Sequence, residues 1–309
     1  MVPGELAGER FDRIAAELFD EFSRSRLQKW IGEGHLRVDG RQIKPKEKLA
    51  EGARLTLSVV LEEEGDWQPE PIPLEIVHED ESIIVIDKPA NLVVHPAAGN
   101  REGTLLNGLL YRYPELINLP RAGIVHRLDK DTTGLMVVAR SLQAHHSLVE
   151  QLQARNVSRH YLALVTGTPV AGATIRTCYG RHPTQRLKMA VLPRGKDAIT
   201  HFRIAHKYAH HTLLDVSLET GRTHQIRVHL AHRKLPILGD PLYGGRPRLP
   251  PGVSQKLRDA LQQFPRQALH AAQLKFAHPA SGDWCQWQSE MPEDMATLLE
   301  LLDEQAELD

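Results

Sequence analysis

The alternation of apolar and polar residues divides the chain into a short helical beginning and a longer region of strands and helices. In the beginning, apolar side chains recur at helical spacing at 11–19 and again at 25–31. An alternating stretch at 35–38 and the dipeptide Asp39-Gly40 then predict a half-buried strand that ends in a tight turn. We therefore predict a small, self-contained unit built from a helix pair and a β-hairpin.

An acidic and proline-rich segment separates this unit from the rest of the chain. Residues 62–66 are EEEGD and residues 67–73 are WQPEPIP, a composition that forms no helix and offers little apolar surface. We therefore predict a linker at 62–73 between a domain at 1–61 and a domain at 74–309.

The larger domain combines strand patterns with helix patterns. Short apolar runs predict strands at 74–78, 83–86, 92–96, 123–125, 135–138, 159–165 and 213–218. Helical spacing predicts helices at 105–111, 141–152 and 292–302, and a further helix that follows Thr223 as its N-cap. The fold class that follows is α+β, with helices packed on a mixed sheet.

The composition excludes several classes of protein. The 309 residues include 38 basic and 39 acidic side chains, a net charge of −1, so only local patches can attract nucleic acid. No run approaches the about 18 apolar residues of a membrane span, and acids within residues 5–17 do not fit a secretion signal, so we expect a cytoplasmic protein. Two distant cysteines and histidine pairs without a completing ligand predict neither a disulfide framework nor a metal site.

A group of basic residues surrounds the second predicted helix and the hairpin. Its members are Arg24, Arg26, Lys29, Arg37 and Arg41. Clustered cations on a small scaffold attract the phosphates of a nucleic acid. The alternative is an ordinary charged face that contacts only solvent.

The segment HRLDKDTTG at 126–134 lies between two predicted buried strands. Asp129 follows the apolar Leu128 and has cations on both sides, at Arg127 and Lys130. A carboxylate in such a place can be partly desolvated and still carry its charge, which makes it a candidate nucleophile or base. The alternative is an ordinary solvated turn.

Two further residues could accompany Asp129. Tyr161 lies in a predicted strand, where a tyrosine is most often part of the core; beside an active-site acid it could instead stack on a base or exchange a proton. Arg227 lies beside apolar positions of a predicted helix, and a guanidinium there demands an anionic partner because it keeps its proton. Asp129 is the natural partner, although another carboxylate or a surface position would also serve.

Several segments resemble known families. Residues 9–60 resemble an S4 RNA-binding domain in the helix pair, the SRSR entry at 23–26 and the LRVDG hairpin at 36–40. Three further segments resemble the three core motifs of the RluA-type pseudouridine synthases. They are HRLD and TG within 126–134, RHYLAL at 159–164 and GRTHQIRVH at 221–229. Further matches are DKP at 87–89, VHP at 94–96 and LPILGD at 235–240.

Within that family, three segments look most like the D class. They are PRAGIV at 120–125, DPLYGGRP at 240–247 and RQALHA at 266–271. The resemblance implies an α+β fold with a mixed, mainly antiparallel central sheet flanked by helices, and a small N-terminal α/β S4 domain. It implies pseudouridine formation in large-subunit (23S) ribosomal RNA, in the helix 69 stem-loop, with no cofactor, no metal and no membrane partner.

The resemblance also implies roles for individual residues. Asp129 matches the essential aspartate, Tyr161 the tyrosine near the uracil, Arg227 the cation paired with the aspartate, and Arg127 an arginine that holds open the space left by the flipped nucleotide. The remaining expected RNA contacts are Lys88, His95, Arg222, His224, Arg24, Arg26, Lys29 and Arg37.

Other functions stay open at this stage. A carboxylate near the ribose C1′ can capture positive charge on the sugar or act as a base on it, and the residues do not separate these routes. The same chemistry could act on uridines elsewhere in ribosomal or transfer RNA. A non-catalytic S4-type RNA-binding protein is a second class, and a third is a sugar or nucleoside hydrolase with Asp131 as its second acid.

Overall fold

The computed structural model describes residues 1–19, 24–57, 67–96, 100–185, 187–245, 249 and 252–307, without the side chains of residues 24–26. The chain divides into two compact units, Met1–Gly65 and Asp66–Asp309. Residues 62–66 of the predicted linker lie outside the described residues, so the domain bounds of the sequence analysis stay a prediction. Residues 67–73 lie in the larger unit, where Trp67 and Ile72 pack against its main hydrophobic cluster.

The smaller unit contains the predicted helix pair. Its elements are α1 (Phe11–Leu18), α2 (Arg24–Glu33), β1 (Leu36–Val38) and β2 (Leu55–Leu57). Fully buried apolar side chains from both helices, among them Phe11 and Trp30, form one core. The turn at Asp39 and Gly40 has the left-handed backbone expected of a tight turn, with φ of 48° and 75°. After that turn, however, only Arg41 bridges Val38, and β1 pairs along its length with β2.

The larger unit contains the remaining elements. In chain order they are β3 (Glu75–Glu79), β4 (Ile83–Lys88), α3 (Leu105–Arg112), β5 (Thr133–Ala139), α4 (Leu142–Gln153), β6 (Ser158–Thr166), β7 (Ala173–Arg181), β8 (Met189–Leu192), β9 (Lys196–Lys207), β10 (His211–Leu218), α5 (Gln225–His232), α6 (Gln255–Gln263), β11 (Leu269–Ala277), β12 (Trp284–Gln288) and α7 (Glu293–Ala306). No helix among the described residues is long and apolar enough to cross a membrane.

The strands of the larger unit form one mixed sheet. Its order is β3-β4-β5-β11-β6-β10-β9-β7-β8, and β12 pairs with β11. The pair of β11 with β5 is parallel and the other pairs are antiparallel. The predicted α+β class with a mainly antiparallel sheet is therefore confirmed.

The centre of the sheet is covered on both faces. On β4, Ile84 and Ile86 belong to the main cluster, to which α3 contributes, whereas Ile83 and Val85 belong to a second cluster that includes residues of α4. Apolar residues in consecutive positions are typical of a strand buried on both sides. The loop that carries Asp129 leads into β5, the neighbour of β4, and so starts from a doubly packed part of the sheet.

Two of the predicted strands are wrong. Residues 92–96 make only one bridge, between Val93 and Thr104, and residues 123–125 make only one, between Ile124 and Val138. Before Ile124 the backbone turns through three left-handed residues, Arg121, Ala122 and Gly123, so it cannot enter the sheet as an extended strand. Both segments nevertheless contribute apolar side chains to the main hydrophobic cluster, and this burial explains their strand-like composition.

Candidate active site

The loop that carries Asp129 is held on one side by a buried lysine. The side chain of Lys88 is fully buried, and its Nζ donates to the carbonyls of Lys130 (2.9 Å), Pro89 (2.7 Å) and Leu92 (3.1 Å). Burial lowers the pKa of this ammonium to about 7, although the charges of Asp131 and Asp129 act in the opposite direction. A lysine enclosed in this way has no surface to offer RNA, so the expected RNA contact of Lys88 does not fit its placement.

The other side of the loop is held by the segment before β11. Arg266 Nη1 donates to the carbonyl of Asp131 (3.3 Å), and Gln267 Nε2 donates to Thr132 Oγ1 (3.0 Å). Gly134 has a left-handed φ of 108°, and a Cβ there would lie 2.3 Å from the Ala271 carbonyl. Only glycine allows this approach, which closes the parallel pair of β5 with β11. The backbone around Asp129 is therefore fixed from both directions.

The predicted pair of Asp129 and Arg227 is present. Arg227 Nη1 donates to Asp129 Oδ2 at 2.9 Å, and the two side chains are 5% and 15% exposed. The other edge of the guanidinium donates to a second carboxylate, with Nε to Asp240 Oδ2 at 2.7 Å and Nη2 to Asp240 Oδ1 at 2.9 Å. Asp240 thus fixes the plane of Arg227, and Arg227 fixes one oxygen of Asp129.

The charges in this network stabilise one another. Burial acts to lower the pKa of Arg227, but the hydrogen bonds and charges of Asp240 and Asp129 hold it above its usual value. Burial acts to raise the pKa of Asp240, but Arg227 and the backbone N–H groups of Tyr243 and Leu242 hold it below its usual value. Asp240 is therefore fully engaged, whereas Asp129 Oδ1 accepts no hydrogen bond from a described residue.

His224 lies on the free side of Asp129. Its Nε2 is 3.9 Å from Asp129 Oδ1, and its Nδ1 is hydrogen-bonded to the Tyr243 hydroxyl at 2.9 Å. Burial lowers the pKa of His224. His224, with a left-handed φ of 57°, is also the N-cap residue of α5, so the predicted N-cap Thr223 is wrong by one position. That backbone turn brings the imidazole back toward the acid.

Tyr161 lies on β6 within the main hydrophobic cluster. Its side chain is 5% exposed, and its hydroxyl makes no hydrogen bond with a described residue. Burial raises the pKa of Tyr161; the charge of Arg159 acts to lower it, and the charge of Asp129 raises it further. The tyrosine is thus neutral and within electrostatic range of the acid, with most of its ring packed in the core.

The other residues expected to contact RNA are placed in different ways. Arg127 and Arg222 are exposed. His95 is half-buried, and its Nε2 has no partner among the described residues. Burial, with the charges of Arg121 and Arg127, lowers the pKa of His95 to about 4.

The expected RNA contacts of the smaller unit are described only in part. Arg37 is exposed, and its Nε donates to the Gly34 carbonyl at 2.7 Å. Lys29 Nζ lies 3.8 Å from Glu33 Oε1 at the surface of α2. The side chains of Arg24 and Arg26 lie outside the described residues.

Two residues of the network had no role in the sequence analysis. Asp240 and Tyr243 follow α5 in a loop without periodicity, and Tyr243 packs its ring 5.2 Å from the Arg227 guanidinium. The segment at 235–240 was matched to the family, which marked the place but not the contact. The sequence could have indicated a second partner of Arg227 only through the general rule that a buried arginine needs more than one hydrogen-bond acceptor.

Comparisons with known proteins agree with both predicted resemblances. A family model described as RNA pseudouridylate synthase matches residues 82–232, and one described as S4 domain matches residues 9–55. A Pseudomonas aeruginosa protein named ribosomal large subunit pseudouridine synthase D is 58% identical, over 97% of this chain and 94% of that protein. Proteins of the same name from Xanthomonas campestris and Escherichia coli K12 are 54% and 51% identical, over 98% and 96% of this chain and 92% and 91% of those proteins.

A solved structure has a similar fold. The human protein described as RNA pseudouridylate synthase domain containing 4 superposes with a TM-score of 0.58 at 26% identity. The match covers 74% of this chain and 93% of the human chain. The expected fold family is therefore confirmed.

Proposed function

The chain belongs to the RNA pseudouridylate synthase family, and we propose that its substrate is large-subunit (23S) ribosomal RNA, in the helix 69 stem-loop. As a member of that family it is an RNA pseudouridine synthase, an isomerase, with an N-terminal S4 domain. The names of the relatives support the large ribosomal subunit, and the D-class resemblance supports helix 69. A cytoplasmic location is part of the proposal because the substrate is ribosomal RNA.

The reaction is an isomerisation and conserves every atom. The bond from N1 of uracil to C1′ of ribose breaks, the uracil turns, C5 bonds to C1′, and the proton on C5 moves to N1 through a base or water. The uridine must first leave its base stack, which is easiest in a loop. Since uridine and pseudouridine have the same oxidation state, the reaction needs no redox cofactor.

Asp129 is the residue that we assign to the sugar. The observation that carries this assignment is the asymmetric environment of its carboxylate: Oδ2 is bound by Arg227, and Oδ1 accepts no hydrogen bond from a described residue. The free oxygen can approach the ribose, either to bond with C1′ or to remove a sugar proton. Tyr161 is assigned to the freed uracil, and Arg227 keeps the acid in position.

Release of tritium from RNA labelled at C5 of uridine tests the assignment. The substrates are a helix 69 stem-loop transcript and large-subunit RNA from cells that lack the protein. We expect release without a change in chain length, and pseudouridine mapped within helix 69. Asp129→Asn should lower release by about a thousandfold or more while RNA binding persists.

A variant of the neighbouring acid, Asp131, distinguishes an isomerase from a hydrolase. Asp131→Asn removes the second acid that a hydrolase would use, and the isomerase should keep most of its activity without it. If Asp129→Asn turned over as fast as the wild-type enzyme, the assignment of the acid would be rejected. If pseudouridine were found only outside helix 69, the proposed site in the RNA would be rejected.

A further inference from the structure

Arg159 is a buried cation with no partner in the described part of the protein. It lies on β6, and only 7% of it is exposed. Its guanidinium makes no ion pair or hydrogen bond with another described residue, and its Nε is buried without a partner. A guanidinium keeps its proton, and an unpaired charge in this position is costly unless an anion joins it.

Residues of two family motifs, at 126–134 and 159–164, are the first neighbours of Arg159 to consider. Tyr161 is two residues further along the same strand and therefore points to the same face of the sheet. Burial, and then the charge of Arg159, lower the pKa of His126 to about 3, so this imidazole is neutral. Its Nε2 accepts the Val137 N–H at 3.0 Å. Neither neighbour compensates the charge of Arg159.

The third family motif, at 221–229, lies against the guanidinium at its first residue, Gly221. Gly221 is exposed in the turn before α5, and a Cβ at this position would lie 2.7 Å from Arg159 Nη1. The next nearest atoms to that point outside the neighbouring residues are Cζ at 3.7 Å and Nη2 at 3.9 Å, which also belong to the Arg159 guanidinium. A side chain at 221 would displace the guanidinium, so glycine at this exposed position lets Arg159 lie directly beneath the surface.

The missing partner must carry a negative charge and reach the site from the exposed turn. Uracil is neutral, whereas each phosphodiester of the substrate RNA carries one charge and two oxygens that match the fork of a guanidinium. We propose that Arg159 binds a phosphodiester adjacent to the extruded uridine, and that this phosphate enters over Gly221. Residues i and i+2 of a β-strand are about 7 Å apart. This spacing suits a uracil at Tyr161 and a neighbouring phosphate of the same RNA chain at Arg159.

A phosphate contact of this kind has a distinct kinetic signature. The phosphate does not change during the isomerisation, so Arg159 binds the ground state and the transition state alike. Interactions of that type act on KM and leave kcat nearly unchanged. Arg159 is thus a substrate-positioning residue, and the proposal holds for whichever uridine the enzyme modifies.

The test uses an RNA that the wild-type enzyme converts, with its target uridine mapped. Two versions carry one uncharged methylphosphonate, on the 5′ or on the 3′ side of that uridine. For one version, the wild-type KM should rise about 10- to 100-fold, as for the loss of a charged hydrogen bond. Arg159→Gln should raise KM similarly on the normal RNA and should show no further rise on that version.

Two more variants complete the experiment. Gly221→Ala keeps every charge and a permitted backbone, and it should raise KM by displacing the guanidinium. Arg203→Gln removes an exposed arginine of β9 and should keep the wild-type KM and its sensitivity to methylphosphonate.

Several outcomes would overturn the proposal. They are a wild-type KM that neither methylphosphonate changes, independent effects of Arg159→Gln and of the sensitive linkage, and a loss confined to kcat. If Arg159→Gln does not fold, Gly221→Ala with a wild-type KM is sufficient to overturn it. Because wild-type turnover of the normal RNA is the starting condition, these outcomes are independent of whether helix 69 is the natural substrate.

Discussion

Arg227 and Arg159 are buried to nearly the same depth, with 4% and 7% of each residue exposed, yet they lie in opposite electrostatic environments. Arg227 donates three hydrogen bonds to two carboxylates, whereas the Arg159 guanidinium has no described partner. The first charge is compensated when the protein folds, and the second must be compensated by something that arrives later. Depth alone therefore does not reveal whether a buried charge belongs to the fold or to the ligand.

The two environments arise from different parts of the chain. Arg227 takes one carboxylate from 13 residues later, at Asp240, and the other from 98 residues earlier, at Asp129. Arg159 meets instead a glycine turn and a neutral histidine. The site thus combines a closed ion network around Arg227 on α5 with an unpaired buried cation on β6, two residues before Tyr161.

The largest effect on stability is expected from the loss of the compensated arginine. Arg227→Met leaves Asp240 fully buried without its cation, which should lower the free energy of unfolding by about 3–5 kcal/mol. Arg159→Met, its matched counterpart, removes an uncompensated charge and should leave stability unchanged or raise it. Urea unfolding followed by circular dichroism measures both. Equal losses in the two variants would show that Arg159 is already compensated in the free protein.

Much of the site could be predicted because its chemistry is local or obligatory. An arginine among apolar positions needs an anionic partner, and a carboxylate between cations keeps its charge when it is partly desolvated. Asp129 and Arg227 could therefore be predicted as a pair, although they are far apart in the sequence. Periodicity was also sufficient to predict α1, α4 and α7. The predicted bounds of α4 include its N-cap, Ser141, whose side chain accepts the Ala144 N–H. The family resemblance is confirmed by the relatives.

The remainder depended on contacts that no local pattern contains. Asp240 and Tyr243 reach Arg227 from an irregular loop, and Lys88 looked like an RNA contact because its motif does not show that three carbonyls surround it. The strand predicted at 123–125 failed because Arg121 and Ala122 adopt left-handed backbone, which non-glycine residues seldom do.

A smaller effect is expected from pH, through the histidine beside Arg159. The pKa of His126 is about 3 in the folded protein and near 6.5 when it is unfolded, so the unfolded chain binds the extra proton in acid. The stability that neutral His126 contributes is complete above pH 6.5 and is lost progressively as the pH falls toward 3. At pH 5 the loss amounts to about 2 kcal/mol.

Urea unfolding at pH 7.5 and at pH 5 measures this loss. His126→Asn keeps an acceptor for the Val137 N–H and removes the titration, so its stability should fall less between the two pH values. His146→Asn, at an exposed position of α4, is the control and should behave like the wild type. A pH dependence that His126→Asn does not reduce would mean that the imidazole is not the group that binds the proton.

The smallest effect is expected from the basic residues of α2, among which Lys29 has a side chain at the surface. Lys29 is 54% exposed on α2, so it attracts phosphates through a field that salt screens. Lys29→Gln should weaken RNA binding only a few-fold and reduce the slope of log K against log salt by about 0.7 to 0.9, with kcat unchanged. Arg24→Gln and Arg26→Gln should act in the same way. Each variant should keep the wild-type sensitivity to a methylphosphonate beside the target uridine, since that sensitivity belongs to Arg159. A salt slope that none of the three variants changes would remove these basic residues of α2 from the RNA-binding surface.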